Sequence, residues 1–136
     1  MQPIFTEEID KVRWVRQQEV DRKTDDLIKA GYTFIYNGIE YTLDTTEKSL
    51  AKLGIAYNVA KQMKEAGQPY AQKTVMNDYK VIEMDGDSII STYENMITYG
   101  LGLYNQHSDL IESLKDLSLE ELKAWKDPRD IEKEGR

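Results

Sequence analysis

Side chains able to do chemistry are few in this chain and poorly placed for it. One histidine, His107, and no cysteine occur among 136 residues. No zinc site with two His or Cys ligands can form, and thiolate nucleophiles and disulfides are excluded. A Ser-His-Asp triad would have to use His107, but no Gly-x-Ser-x-Gly elbow or comparable context accompanies it. The histidine sits near the polar edge of a helical stretch, where an ordinary boundary residue is expected. Asp85-Gly86-Asp87 looks like the start of a calcium loop. An EF-hand then requires an oxygen ligand at its fifth position and glycine at its sixth, and here those are Ile89 and Ile90. A turn followed by a helix N-cap accounts for both aspartates.

Gly100-Leu101-Gly102 falls inside a predicted helix and lacks the strand–turn–helix setting of a phosphate loop. The carboxylate pairs Glu7-Glu8, Asp25-Asp26 and Glu120-Glu121 are neighbours on predicted helices, so their side chains point in different directions and make poor acid–base pairs. Nine tyrosines could stack on sugars or bases, yet most fall on predicted core positions. No catalytic, cofactor-binding or metal-binding residue is assigned, no cofactor is expected, and no enzyme class is supported.

Composition narrows the remaining classes. A 40% hydrophobic fraction is enough for one core without metals or cross-links. The start, Met1-Gln-Pro-Ile-Phe-Thr, carries neither the basic nor the apolar region of a signal peptide, and no stretch is apolar enough to cross a bilayer, so a soluble protein is expected. Net charge is −7, and it is concentrated: from Asp78 to Glu121 ten acids face only Lys80 and Lys115. Without a basic stripe, nucleic acid is not an expected partner. The acidic segment reads as a solvated face, or as a surface for a basic partner.

The periodicities predict an α+β fold: N-terminal helix, β-hairpin, helix, second β-hairpin, long helix, short C-terminal helix, with a small antiparallel sheet packed on the helices. The first helix covers about 6–30, with Ile9, Val12, Val20, Leu27 and Ile28 at loose helical spacing. Its middle, Arg16 to Asp26, is so polar that it either faces solvent or packs on something the chain does not supply. Asn37-Gly38 is the preferred pair for a type I′ turn. That turn sets Tyr36 opposite Ile39, Phe34 opposite Tyr41 and Tyr32 opposite Leu43 on one face, with Thr33, Ile35, Glu40 and Thr42 on the other. Asp44-Thr-Thr-Glu47 resembles a capping box opening a second helix over about 45–66, which Gly67 and Pro69 end. A hairpin of 74–76 against 79–84 around Asn77-Asp78 follows. Ser118-Leu-Glu-Glu121 is a further capping box, opening a short helix that Pro128 stops. Three parts result: an N-terminal segment 1–30 for attachment or oligomerisation, a domain 31–126, and a charged tail 127–136, frayed from Arg129 on.

The long helix, about 88–117 with Asp87 as its N-cap, is unusual. Between Ser88 and Ser108 its only charged residue is Glu94. Apolar residues run along two stripes, and such a helix is buried on more than one side. Either it lies sandwiched within its own domain or one side meets a partner. Gly100 and Gly102, each unfavourable by about 1 kcal/mol in a helix, suggest close approach by another backbone. The candidate interface residues are Ile89, Tyr93, Met96, Gly100, Leu103 and Leu110.

The order of segments also carries a resemblance. Gly31-Tyr-Thr-Phe-Ile-Tyr-Asn-Gly38-Ile-Glu-Tyr41, then Leu43-Asp44, an amphipathic helix, Gly67-Gln-Pro69, a short hairpin, and a long helix ending Leu114-Lys-Asp-Leu117 resemble an uncharacterised domain found in tail-fibre-region proteins of tailed phages and prophages. The likeness covers roughly 21–125. It implies no catalytic residues. It implies a non-enzymatic tail accessory protein, a structural component bound to a tail-fibre or baseplate protein, made in the host bacterial cytoplasm and carried in the virion tail. Because fibres are commonly trimers, it also implies homo-trimerisation or binding to a trimer. Two other roles fit the same residues: a fibre-assembly chaperone absent from the mature virion, and an acidic inhibitor of a host protein.

Overall fold

The computed structural model describes residues 3–130. Its elements run α1 (Glu8–Ala30), β1 (Tyr32–Tyr36), β2 (Ile39–Leu43), α2 (Glu47–Glu65), β3 (Ala71–Val75), β4 (Val81–Asp85), α3 (Gly86–Ser113) and α4 (Leu119–Ala124). The protein is α+β in the predicted order. The strands form two separate two-stranded sheets, β1-β2 and β3-β4. The chain divides into two compact units. A terminal unit takes the residues up to Asp25 together with those from Tyr104 on, and a central unit takes Asp26–Leu103. This division does not follow the expected parts 1–30 and 31–126, because α1 and α3 each contribute residues to both units.

In the central unit the first hairpin has the expected register, Tyr32 with Leu43, Phe34 with Tyr41 and Tyr36 with Ile39. Asn37 and Gly38 hold the positive φ angles (51° and 77°) that a type I′ turn demands. The aromatic face packs on a core of Leu43, Leu53, Ala56, Ala60, Met76, Met84, Ile89 and Met96. Gly31 is needed where it stands: its φ is +90°, and a Cβ there would lie 2.2 Å from the Leu43 carbonyl oxygen.

Two helix starts differ from expectation by one short-range competition each. The N-cap of α2 is Thr46, whose hydroxyl accepts from Ser49 N–H. Asp44 instead accepts from the backbone N–H and hydroxyl of Thr46, so it braces the cap rather than being it. At α3, Asp85 accepts from Ser88 N–H at 2.8 Å, which displaces Asp87 from the predicted capping role. The second hairpin is longer and set further out than expected. Val75 pairs with Val81, so residues 76–80 form the connection, with Tyr79 at φ +65°. Met76, expected in the strand, lies just past its end, still donates its N–H to the Lys80 carbonyl, and is buried in the core.

The terminal unit is helical around fully buried Val20, Leu114 and Leu122. The polar middle of α1 is packed by the chain itself. Arg13 donates to the carbonyls of Leu114 and Leu117, and Arg16 to those of Leu122 and Lys123. Each guanidinium thus reaches carbonyls at the C-terminal ends of α3 and α4, where positive charge is favoured, and the Leu122 carbonyl also accepts from Trp125 N–H. At α4 the predicted capping box is present in full between Ser118 and Glu121.

The expected frayed tail is not frayed where it is described. Asp127 and Arg129 expose 4% and 9% of their surface. Arg129 donates to both Asp127 carboxylate oxygens, to the Thr24 hydroxyl and to the Val20 carbonyl. Burial raises the Asp127 pKa, but the Arg129 hydrogen bonds and the charges of Arg129 and Lys23 outweigh it and hold the group below its ordinary value. Residues 131–136 of the predicted tail lie outside the described residues.

Candidate functional site

The residues expected to form an interface on α3 are core residues instead. Ile89 and Met96 have no exposed surface, Leu103 and Gly100 are buried, and Tyr93 and Leu110 are half-buried. A helical line of Ile89, Thr92, Met96, Gly100 and Leu103 faces inward in the central unit. The helix is buried along this one side and open on the other, where Leu101 and Tyr104 keep 58% and 46% of their surface exposed, so it is not sandwiched, and the buried line itself has little surface to offer a partner. The two glycines have a different meaning from the one expected. A Cβ on Gly100 or Gly102 would meet nothing within 4 Å, so no backbone approaches there. The close approach falls on α2, where a Cβ on Gly54 would lie 3.2 Å from the Tyr93 hydroxyl.

His107 Nε2 lies 2.6 Å from Asp21 Oδ1, a half-exposed bond between α3 and α1 within the terminal unit. Among the described residues no group of three or more metal-ligating side chains converges. The ten acids between Asp78 and Glu121 are all exposed, and three of them are paired with lysines: Asp78 with Lys80, Asp87 with Lys64, Glu112 with Lys115.

The central unit has a groove between α2 and β3, with a volume of about 520 Å³. Such a volume lies in the range of ligand-binding clefts, roughly 300–1,000 Å³. One wall is the helix face of Ser49, Lys52, Leu53 and Ala56, which fall at i, i+3, i+4 and i+7. Leu53 and Ala56 are buried and anchor that face, while Ile55 stands at the rim with 69% of its surface exposed. Thr46 and Asp44 fix where the helix begins. Burial pushes the Asp44 pKa up, but hydrogen bonds from Ser49 and Thr46 more than offset this and leave it lowered.

The other wall is β3, and four successive residues line it, Gln72 to Val75. A groove lying on one face of a strand would meet only alternate residues. Successive residues mean that the strand turns its edge to the groove. The ladder shows which backbone groups lie there. Met76 N–H donates to Lys80 and Gly86 N–H to Tyr70, so Tyr70, Gln72, Thr74 and Met76 face β4. Ala71, Lys73 and Val75 turn their N–H and C=O groups the other way. Among the described residues those groups have no backbone partner, and only the Gln72 side-chain amide reaches the Lys73 carbonyl, at 3.2 Å.

The sheet's other edge is occupied in part, since Tyr36 Oη donates to the outward carbonyl of Glu83 on β4. Lys52 and Lys73 are the charged residues of the groove, and neither forms an ion pair among the described residues. The arrangement is an open strand edge beside a partly apolar helix face. It can hold an extended chain. Sequence reasoning missed it because side-chain alternation reports which face of a strand is buried and nothing of its edges. The one available signal was the apolar pair Val75 and Val81, cross-strand neighbours with 56% and 59% of their surface exposed.

No family model, curated protein or solved structure matches this chain.

Proposed function

We propose that this chain works by binding another protein, without catalysis, as an accessory component of a phage tail attached to a tail-fibre or baseplate protein. The observation that carries the binding half is the open edge of β3 beside an apolar groove. A free strand edge is a template for pairing with another chain, and proteins that do not use such an edge generally cover it or keep it short. The setting rests on the resemblance of the 31–44 hairpin and the helix–hairpin–helix order to the phage-tail domain.

The test is the composition of purified particles from the phage or prophage that encodes the chain. Stoichiometric copies in the tail, lost together with the fibre or baseplate protein when that gene is deleted, are the expected result. Absence from particles that nevertheless need the gene for folded fibres would replace the accessory reading by an assembly chaperone. Particles that lack the protein and form normally without it would overturn the tail role altogether.

A further inference from the structure

We infer that β3 accepts a third strand, an extended segment of the partner protein in which apolar and acidic side chains alternate. The inference rests on the protein-binding reading above and names its site and the chemistry of its ligand. The backbone groups of Ala71, Lys73 and Val75 supply alternate N–H donors and C=O acceptors along the open edge. A strand of five residues spans about 17 Å, enough for an equally long added strand. Main-chain bonds of this kind give affinity without sequence preference, and side-chain pockets supply the preference.

In an extended segment successive side chains point to opposite faces. Those turned into the groove meet Leu43, Leu53, Ala56 and Tyr70, which favour apolar residues. In a chain whose net charge is −7, Lys52 and Lys73 form no ion pair among the described residues, although Glu83 stands directly across the strand pair from Lys73. They favour acidic residues beside the apolar ones, and they disfavour a basic segment. The same lysine argues against a second copy as the occupant. Two β3 edges paired with each other would place Lys73 of both copies in one short ladder, and like charges at such pairs are unfavourable.

The experiment selects peptides from a random decapeptide display library on the immobilised full-length chain and measures the synthetic consensus peptide by fluorescence anisotropy. Alternating apolar and acidic residues are the expected consensus. Val75→Pro removes an N–H on the open edge and leaves the ladder to β4 intact, so it is expected to weaken the peptide at least tenfold. Reversing both lysines, K52E with K73E, is expected to turn the preference toward basic peptides. If Val75→Pro fails to fold by circular dichroism, a consensus peptide N-methylated at alternate amides replaces it, with the same loss expected on the unaltered chain. No peptide enriched above background, or peptides indifferent to both the proline and the N-methyl groups, would overturn strand addition. Self-association lost in Val75→Pro would overturn it too, in favour of a second copy. A tail protein that still binds the Val75→Pro chain at full strength would remove this site and leave the protein-binding reading standing. Selected peptides with no tail protein bound would do the reverse.

Discussion

The two units of this chain solve the same problem, unpaired backbone groups, in opposite ways. In the terminal unit two arginines of α1 reach the carbonyls at the ends of α3 and α4, a capping box closes the start of α4, and Arg129 is held by three groups, the Asp127 carboxylate, the Thr24 hydroxyl and the Val20 carbonyl. In the central unit the outward backbone groups of Ala71, Lys73 and Val75, beside a groove, have no backbone partner among the described residues, and only the Lys73 carbonyl is taken, by the Gln72 side chain. The contrast shows where the chain has backbone groups free to bond a partner. A region that ties its helix ends to one another is built for stability, and one that leaves a strand edge free has bonding capacity to give a partner.

The largest expected effect lies in the terminal unit. Arg129→Ala would leave the buried Asp127 carboxylate without its partner, and breaking such a pair costs on the order of 3 kcal/mol. Urea unfolding monitored at Trp125 measures it. A loss below about 1 kcal/mol would mean that the closed character of this unit is overstated. Gly31→Ala is next, at about 2 kcal/mol, since it combines a positive φ with a clash against the Leu43 carbonyl. Its cost should appear as a lower midpoint for the central unit.

Gly102→Ala acts in the other direction. The position is exposed within α3 and a Cβ meets nothing, so helix propensity alone predicts a gain of about 1 kcal/mol. A loss would restore the idea that something packs closely there. The smallest effect is a pH dependence. The folded-state pKa of Asp127 lies below its unfolded value of about 3.8, so the group contributes stability that is complete above that value. The contribution fades as pH falls toward the folded-state pKa and is gone below it. In Asp127→Asn the slope of stability against pH below about 4 should be shallower than in the unaltered chain.

What the sequence made legible is what local geometry decides. Asn37-Gly38 fixed one turn, and the turn fixed a register that period-2 alternation then required. Ser118 and Glu121 are three residues apart and cap as such a pair should. Caps with competing neighbours were harder to read: Asp44 beside Thr46, and Asp85 beside Asp87, each offer two acceptors within reach of one helix start. Contacts distant in sequence were not legible at all. Arg129 is 105 residues from Thr24, its hydrogen-bond partner, and nothing near it marks it as buried. The uncharged stretch of α3 announced burial on more than one side, but only its inner line is buried, and that line was read as a surface for a partner while Leu101 and Tyr104 stand exposed. The open edge of β3 was hard to read for a different reason, because edges belong to the backbone and only the apolar pair Val75 and Val81 hints at this one.

Residue-resolved hydrogen exchange along β3 tests the central claim most directly. In the free chain the amides of Ala71, Lys73 and Val75 should exchange fast and those of Gln72 and Thr74 slowly, and adding the selected peptide should slow the first three. Uniform protection of all five amides in the free chain would show that the edge is already covered, and would contradict the account.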